Sequence, residues 1–119
     1  MKPTNSSTFA GEWVESWNSH NLKSIMAHYS EELQFSSPVI QQMNVNDDGI
    51  ITSKKELEDY FEKALKKYPD LKFELISVLT GVSSVVLFYK SINDLFSAEY
   101  MELDESGKVV KVKAHYSTP

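Results

Sequence analysis

The 119-residue chain reads as a single α+β domain in which three N-terminal helices cover a strongly curved antiparallel β-sheet. Three observations predict this class. Apolar residues recur at helical spacing in three segments before Pro69, and from Leu71 onward the pattern changes to period two or to β-branched runs. Short turn-rich breaks separate those later runs, so successive strands pair as an antiparallel meander. The apolar stripes of the helices then need the concave face of the sheet to cover them. There is no internal repeat and no sign of a second domain.

Phe9, Ala10, Trp13, Val14 and Trp17 form one broad stripe after the polar stretch TNSST, which predicts a first helix from about residue 6 to about residue 19. Asn21 caps a short second helix with Leu22, Ile25, Met26 and Tyr29 on one face, and Ser30-Glu31-Glu32 turns the chain into a strand at Leu33. In that strand Leu33, Phe35 and Ser37 share one side, so a hydroxyl ends an apolar file just before Pro38. Residues 39 to 52 show no clear periodicity, and a connection of that length in a small domain is often functional or mobile.

Ser53 with Glu56 makes a capping box, and Leu57, Tyr60, Phe61, Ala64, Leu65 and Tyr68 mark a third amphipathic helix closed by Pro69. Four strands follow in LKFELISVL, SVVLFYK, LFSAEYMEL and KVVKVKAHY. Thr80-Gly81, Ser91 to Asp94 and Asp104 to Gly107 break them apart.

Composition narrows the function. Apolar residues make up 41% of the chain and charged residues 24%, as in ordinary globular proteins, and a chain of this length buries roughly two thirds of its unfolded surface. No cysteine is present, which excludes disulfides, thiolate metal sites and cysteine nucleophiles and makes the cytoplasm the default compartment. The net charge is −5 and the lysines are scattered, which argues against binding nucleic acid. The start of the chain has no apolar run, so no signal peptide or membrane anchor is expected, and the NSS sequon at Asn5 is then accidental.

Motifs for metals and nucleotides are weak. NVNDDGIITSKK imitates a calcium loop, but its twelfth position is Lys55, which lacks the bidentate carboxylate, so a polar turn is expected. His20, His28 and His115 have no partner at zinc-ligand spacing. The four glycines stand singly and form no phosphate loop, dinucleotide fingerprint or nucleophile elbow. No metal and no cofactor is therefore expected.

The strand FSAEYMEL places a glutamate on each face, Glu99 beside Met101 on one and Glu102 beside Tyr100 on the other. An inward Glu99 would be desolvated and would titrate near neutral pH as a proton donor or acceptor, whereas an outward one is an ordinary solvated residue. Alternation alone leaves the two open. On the last strand Val110, Val112, Ala114 and Tyr116 share the expected core face, and Lys111, Lys113 and His115 share the outer one. Trp13, Trp17, Tyr29, Tyr60, Phe61, Phe88 and Tyr89 are first of all core residues, although the wide end of a helix-covered sheet often leaves room for a flat apolar ligand.

The segment WNSHNLKSIMAHYSEELQFSSPV resembles the N-terminal signature of the nuclear transport factor 2-like superfamily, nearest to its SnoaL-like polyketide cyclase and ketosteroid isomerase branches. YMELDESGKVVKVKAHYS looks like the final hairpin of the same superfamily, so the similarity spans nearly the whole chain. The resemblance implies a cone-shaped, cystatin-like fold, frequent homodimerisation through the outer sheet face, and activities ranging from isomerases and cyclases to non-catalytic binders. In the steroid isomerases a general-base aspartate stands just before Pro-Val, where this chain has Ser37. Their oxyanion-hole tyrosine corresponds to Trp13, and their protonated aspartate, a worked example in enzymology, to Glu99.

A serine is no base at neutral pH without activation, so steroid isomerisation is not expected. The resemblance also implies that Glu99 points inward. The expected site is a pocket for a compact, largely apolar molecule, with Glu99 as acid or base and with Trp13, Ser37, Tyr29, Tyr60, Met101 and Tyr116 as ligand contacts. Its chemistry is either cofactor-free proton transfer or recognition alone. A third possibility is an interaction module, a homodimer joined through an outer sheet face made polar by Lys111, Lys113 and His115.

Overall fold

A computed structural model describes residues 6–117. In chain order the elements are α1 (Ser6–Asn18), α2 (Leu22–Met26), β1 (Tyr29–Ser36), α3 (Pro38–Gln42), β2 (Ile50–Ser53) and α4 (Lys54–Lys67). They are followed by β3 (Glu74–Gly81), β4 (Ser84–Lys90), β5 (Phe96–Leu103) and β6 (Val109–Tyr116). The six strands form one unclosed sheet in the order β2-β1-β6-β5-β4-β3. Register shifts interrupt the β1–β2, β1–β6, β3–β4 and β5–β6 pairs, and an extra residue on one strand bends it and tightens its twist. This curvature lets α1 and α4 seat their aromatic stripes inside the sheet.

α1 buries Phe9, Ala10, Trp13 and Trp17 of the stripe its spacing singles out, whereas Val14 is only half-buried. The Asn21 side chain caps α2 by accepting from the Ser24 N–H, and Ser53 caps α4 by accepting from the Glu56 N–H. α4 then buries Leu57, Tyr60, Phe61 and Ala64 against β1 and β2. The meander β3-β4-β5-β6 is antiparallel, as the short breaks predict.

Several local expectations change. Tyr29 is the first residue of β1 rather than part of the second helix, and Ser30, Glu31 and Glu32 are extended strand residues rather than a turn. The stretch expected to be aperiodic contains α3 and β2, so four helices precede the meander among the described residues. Elements of five and four residues are too short to show a period. The sheet is also not wholly antiparallel, because β1 pairs with β6 in parallel. The chain crosses the whole molecule between these two strands, so no turn signal reveals the pairing.

On β6 it is Val109, not Val110, that joins the core. Val109 pairs with Leu103 while Lys111 pairs with Glu102, so the register shift leaves Val110 without a place in the alternation. Phe88 also leaves the expected core. It lies on the convex side of β4 and stacks on Phe96 at 5.8 Å between ring centroids.

The convex side differs from the polar surface expected. Lys111, Lys113 and His115 are there, but the same side carries Val86, Phe88 and Tyr100 beside strongly exposed Leu79 (56%), and Phe96 is 43% exposed. The calcium-like segment folds into the turn before β2, where the Asn46 side chain accepts from the Gly49 N–H and donates to the Ile50 carbonyl. Among the described residues no three histidine, aspartate or glutamate side chains converge as a metal site, and no helix is long and apolar enough to cross a membrane.

Candidate functional site

Successive inward residues of β4, β5 and β6 build the floor of the site in rows. Tyr89, Ser97 and Tyr116 make one row; Leu87, Glu99 and Ala114 make the next. Glu99 therefore faces the concave interior, where it is 3% exposed. The Tyr89 hydroxyl donates to Glu99 Oε1 at 2.5 Å, and no side chain among the described residues donates to Oε2. Burial raises the Glu99 carboxyl to about 7, the Tyr89 hydrogen bond opposing that rise. The group thus exists in both protonation states near neutral pH. That is the property a proton-transfer residue needs.

Aromatic rings close the space above the floor. Trp13 stacks on Phe73 at 5.6 Å and meets Tyr89 edge-on at 5.3 Å, while Trp17 meets Phe61 edge-on at 4.7 Å. Between them lies a partly open cavity of about 50 Å³ lined by Trp13, Trp17, Phe35, Tyr60, Phe61, Phe73, Tyr89, Glu99 and Tyr116, with Tyr68, Leu71, Ser91 and Ile92 toward its opening. Burial lifts the phenols of Tyr60, Tyr89 and Tyr116 above their ordinary range, so each stays protonated at neutral pH and remains a hydrogen-bond donor. Two buried polar atoms in this region are unpaired, Nε1 of Trp17 and Oγ of Ser97. Unpaired buried polar atoms are uncommon in folded proteins, and here they sit in or beside the wall of a cavity.

The residues expected at the site separate into two groups. Glu99, Trp13, Tyr60 and Tyr116 line the cavity together. Tyr29, Ser37 and Met101 do not line it. Tyr29 lies behind Trp13 and accepts its indole N–H at 3.1 Å, so Trp13 offers the cavity a ring face and has no free donor. Ser37 caps α3 by accepting from the Val39 N–H at 3.1 Å. Met101 is wholly buried in the core one step beyond Glu99 on β5.

Tyr89, Trp17 and Phe73 were not among the residues expected at the site. For Tyr89 the signal was the alternation in SVVLFYK, which puts it with Val85 and Leu87, but its closeness to Glu99 depends on the β4–β5 register. Phe73 lies in the link before β3, where its backbone is fixed by the Asn18 side chain, which accepts from the Phe73 N–H at 2.7 Å and donates to its carbonyl at 2.9 Å.

Helices packed on one face of a curved, unclosed sheet, with a buried carboxyl in the wall of a small aromatic cavity, define a cone-fold protein. The family model described as the SnoaL-like domain matches residues 10–114, and the chain belongs to that family. A SnoaL-like protein of unknown function from Burkholderia thailandensis has a similar crystal structure, with 33% identity, a TM-score of 0.93 and 98% of each chain covered. The fold is also shared with a candidate ketosteroid isomerase from Kribbella flavida, at 16% identity and a TM-score of 0.75 over 98% of this chain and 81% of that one. A candidate polyketide cyclase from Sinorhizobium meliloti shares it at 4% identity, with a TM-score of 0.75 over 97% of this chain and 100% of that one. Nothing among the curated proteins matches the chain.

Proposed function

We propose that the cavity binds a compact, largely apolar molecule and that Glu99 moves a proton on it without a cofactor, in a reaction of the isomerisation, cyclisation or dehydration type. The observation that carries this reading is the burial of Glu99 in the cavity wall with Oε2 free of any donor among the described residues. In its ionised form Oε2 accepts a proton from a carbon next to a carbonyl. In its neutral form it returns that proton to another atom of the same molecule, so the enzyme ends as it began. The phenols of Tyr60 and Tyr116 are the available donors for the oxygen on which charge develops. Ser37 is no base here, which supports setting steroid isomerisation aside.

The test is exchange of the α-hydrogens of acetone and butanone, small enough to reach Glu99, incubated with the protein in D2O and followed by NMR. The expected result is incorporation above the buffer rate that falls by about 100-fold or more in Glu99→Gln. Equal rates for the two proteins would remove Glu99 from the chemistry and leave a binding pocket.

A specific observation favours a second, compatible reading. The convex side of the sheet exposes Leu79 and Phe96 next to Val86, Phe88 and Tyr100, an apolar surface suited to a second copy of the chain. We propose a homodimer through this side, with Lys111, Lys113 and His115 toward its polar part.

A further inference from the structure

The cavity is too small to hold a whole ligand of ordinary size. About 50 Å³ is a third of the roughly 150 Å³ of an engineered cavity that takes up benzene. Its opening leads outward: Tyr68, Leu71, Ser91 and Ile92 also line a surface hollow of about 370 Å³, formed by the link between α4 and β3 and by the link between β4 and β5. A molecule that reaches Glu99 with one end therefore lays the rest of its length in this vestibule.

The vestibule is polar, and its charges are unequal. Lys67, Lys72, Asp70 and Asp94 line it. Asp94 is already paired with Lys90 at 3.4 Å. Lys67 and Lys72 enter no ion pair among the described residues, the Lys67 ammonium lying only 5.7 Å from the centre of the Tyr68 ring. Two cations thus face one uncompensated carboxylate, Asp70, in a protein whose net charge is −5. At the other end the buried carboxyl of Glu99 repels an anion, so a charged group on the ligand is driven toward the mouth.

We propose that the ligand is an amphiphile, a compact apolar end that enters the cavity joined to an anionic tail held in the vestibule by Lys67 and Lys72. This rests on the pocket reading above and adds the chemical class and the direction of entry. It also explains a lysine pair at the rim of an acidic protein, which attracts the anionic end and orients the molecule before the apolar end goes in.

The experiment compares hexanoate, hexanol and hexylammonium, titrated against the quenching of Trp13 and Trp17 fluorescence. The expected order is hexanoate tightest, by about tenfold over hexanol at low salt, with hexylammonium weakest. The preference should shrink in 0.5 M sodium chloride and reverse toward hexylammonium in the exposed double variant Lys67→Glu/Lys72→Glu. Hexanol binding as well as hexanoate, or hexylammonium binding best to the unaltered protein, overturns the anionic class and leaves the cavity reading standing. Binding of none of the three overturns both.

Discussion

Burial of Glu99 couples its ionisation to the stability of the fold. Its carboxyl ionises near 4.5 in the unfolded chain and at about 7 in the fold, so between those values the folded state binds the extra proton and stability falls as pH rises. Below the lower value the penalty is absent, and above the upper one it is complete at about 3 kcal/mol. Glu99→Gln is therefore expected to melt higher than the parent at pH 8, with the gain disappearing near pH 4, as calorimetry over that range would show. Tyr89 acts in the opposite sense. Its hydroxyl donates to the ionised carboxylate, so Tyr89→Phe should push the Glu99 carboxyl further up and move the pH profile of hydrogen exchange to higher pH. An unmoved profile would mean that the Tyr89 hydroxyl does not control the carboxyl.

The elements that hold these side chains were legible in proportion to their length. α4 was plain from Ser53, Glu56 and about four turns of apolar spacing, whereas α3 and β2 had too few residues for any period. Local chemistry still marks α3, since Ser37 precedes Pro38 as cap and first helical residue, an arrangement that fits the missing N–H of proline. Ser37 is thus a structural hinge point between β1 and α3. Its N–H donates to the carbonyl of Gly49, whose φ is +71° and where a Cβ would lie 3.2 Å from the Ser37 carbonyl oxygen. Gly49→Ala should cost about 1–2 kcal/mol and Ser53→Ala about 1 kcal/mol in urea unfolding, the first through backbone strain and the second through a lost cap. Wild-type stability in either variant would show that the connection or the cap is unimportant.

At the scale of the molecule, the sheet has two chemically different faces. The concave one is filled with aromatic rings around Glu99, and the convex one leaves Leu79 and Phe96 in water. If the convex face joins two copies, Leu79→Glu should turn a dimer into a monomer in sedimentation velocity. A parent protein that sediments as a monomer at tens of micromolar would exclude that assembly. Amino-acid sequence by itself determined the α+β class, the amphipathic helices and the antiparallel meander, because those follow from periods and caps within a few residues. Only the tertiary structure decided that Glu99 points inward beside Tyr89, that Trp13 spends its N–H on Tyr29, and that β1 runs parallel to β6. Each of these depends on the register between segments far apart in the chain, and register is fixed by packing the whole core rather than by any local preference.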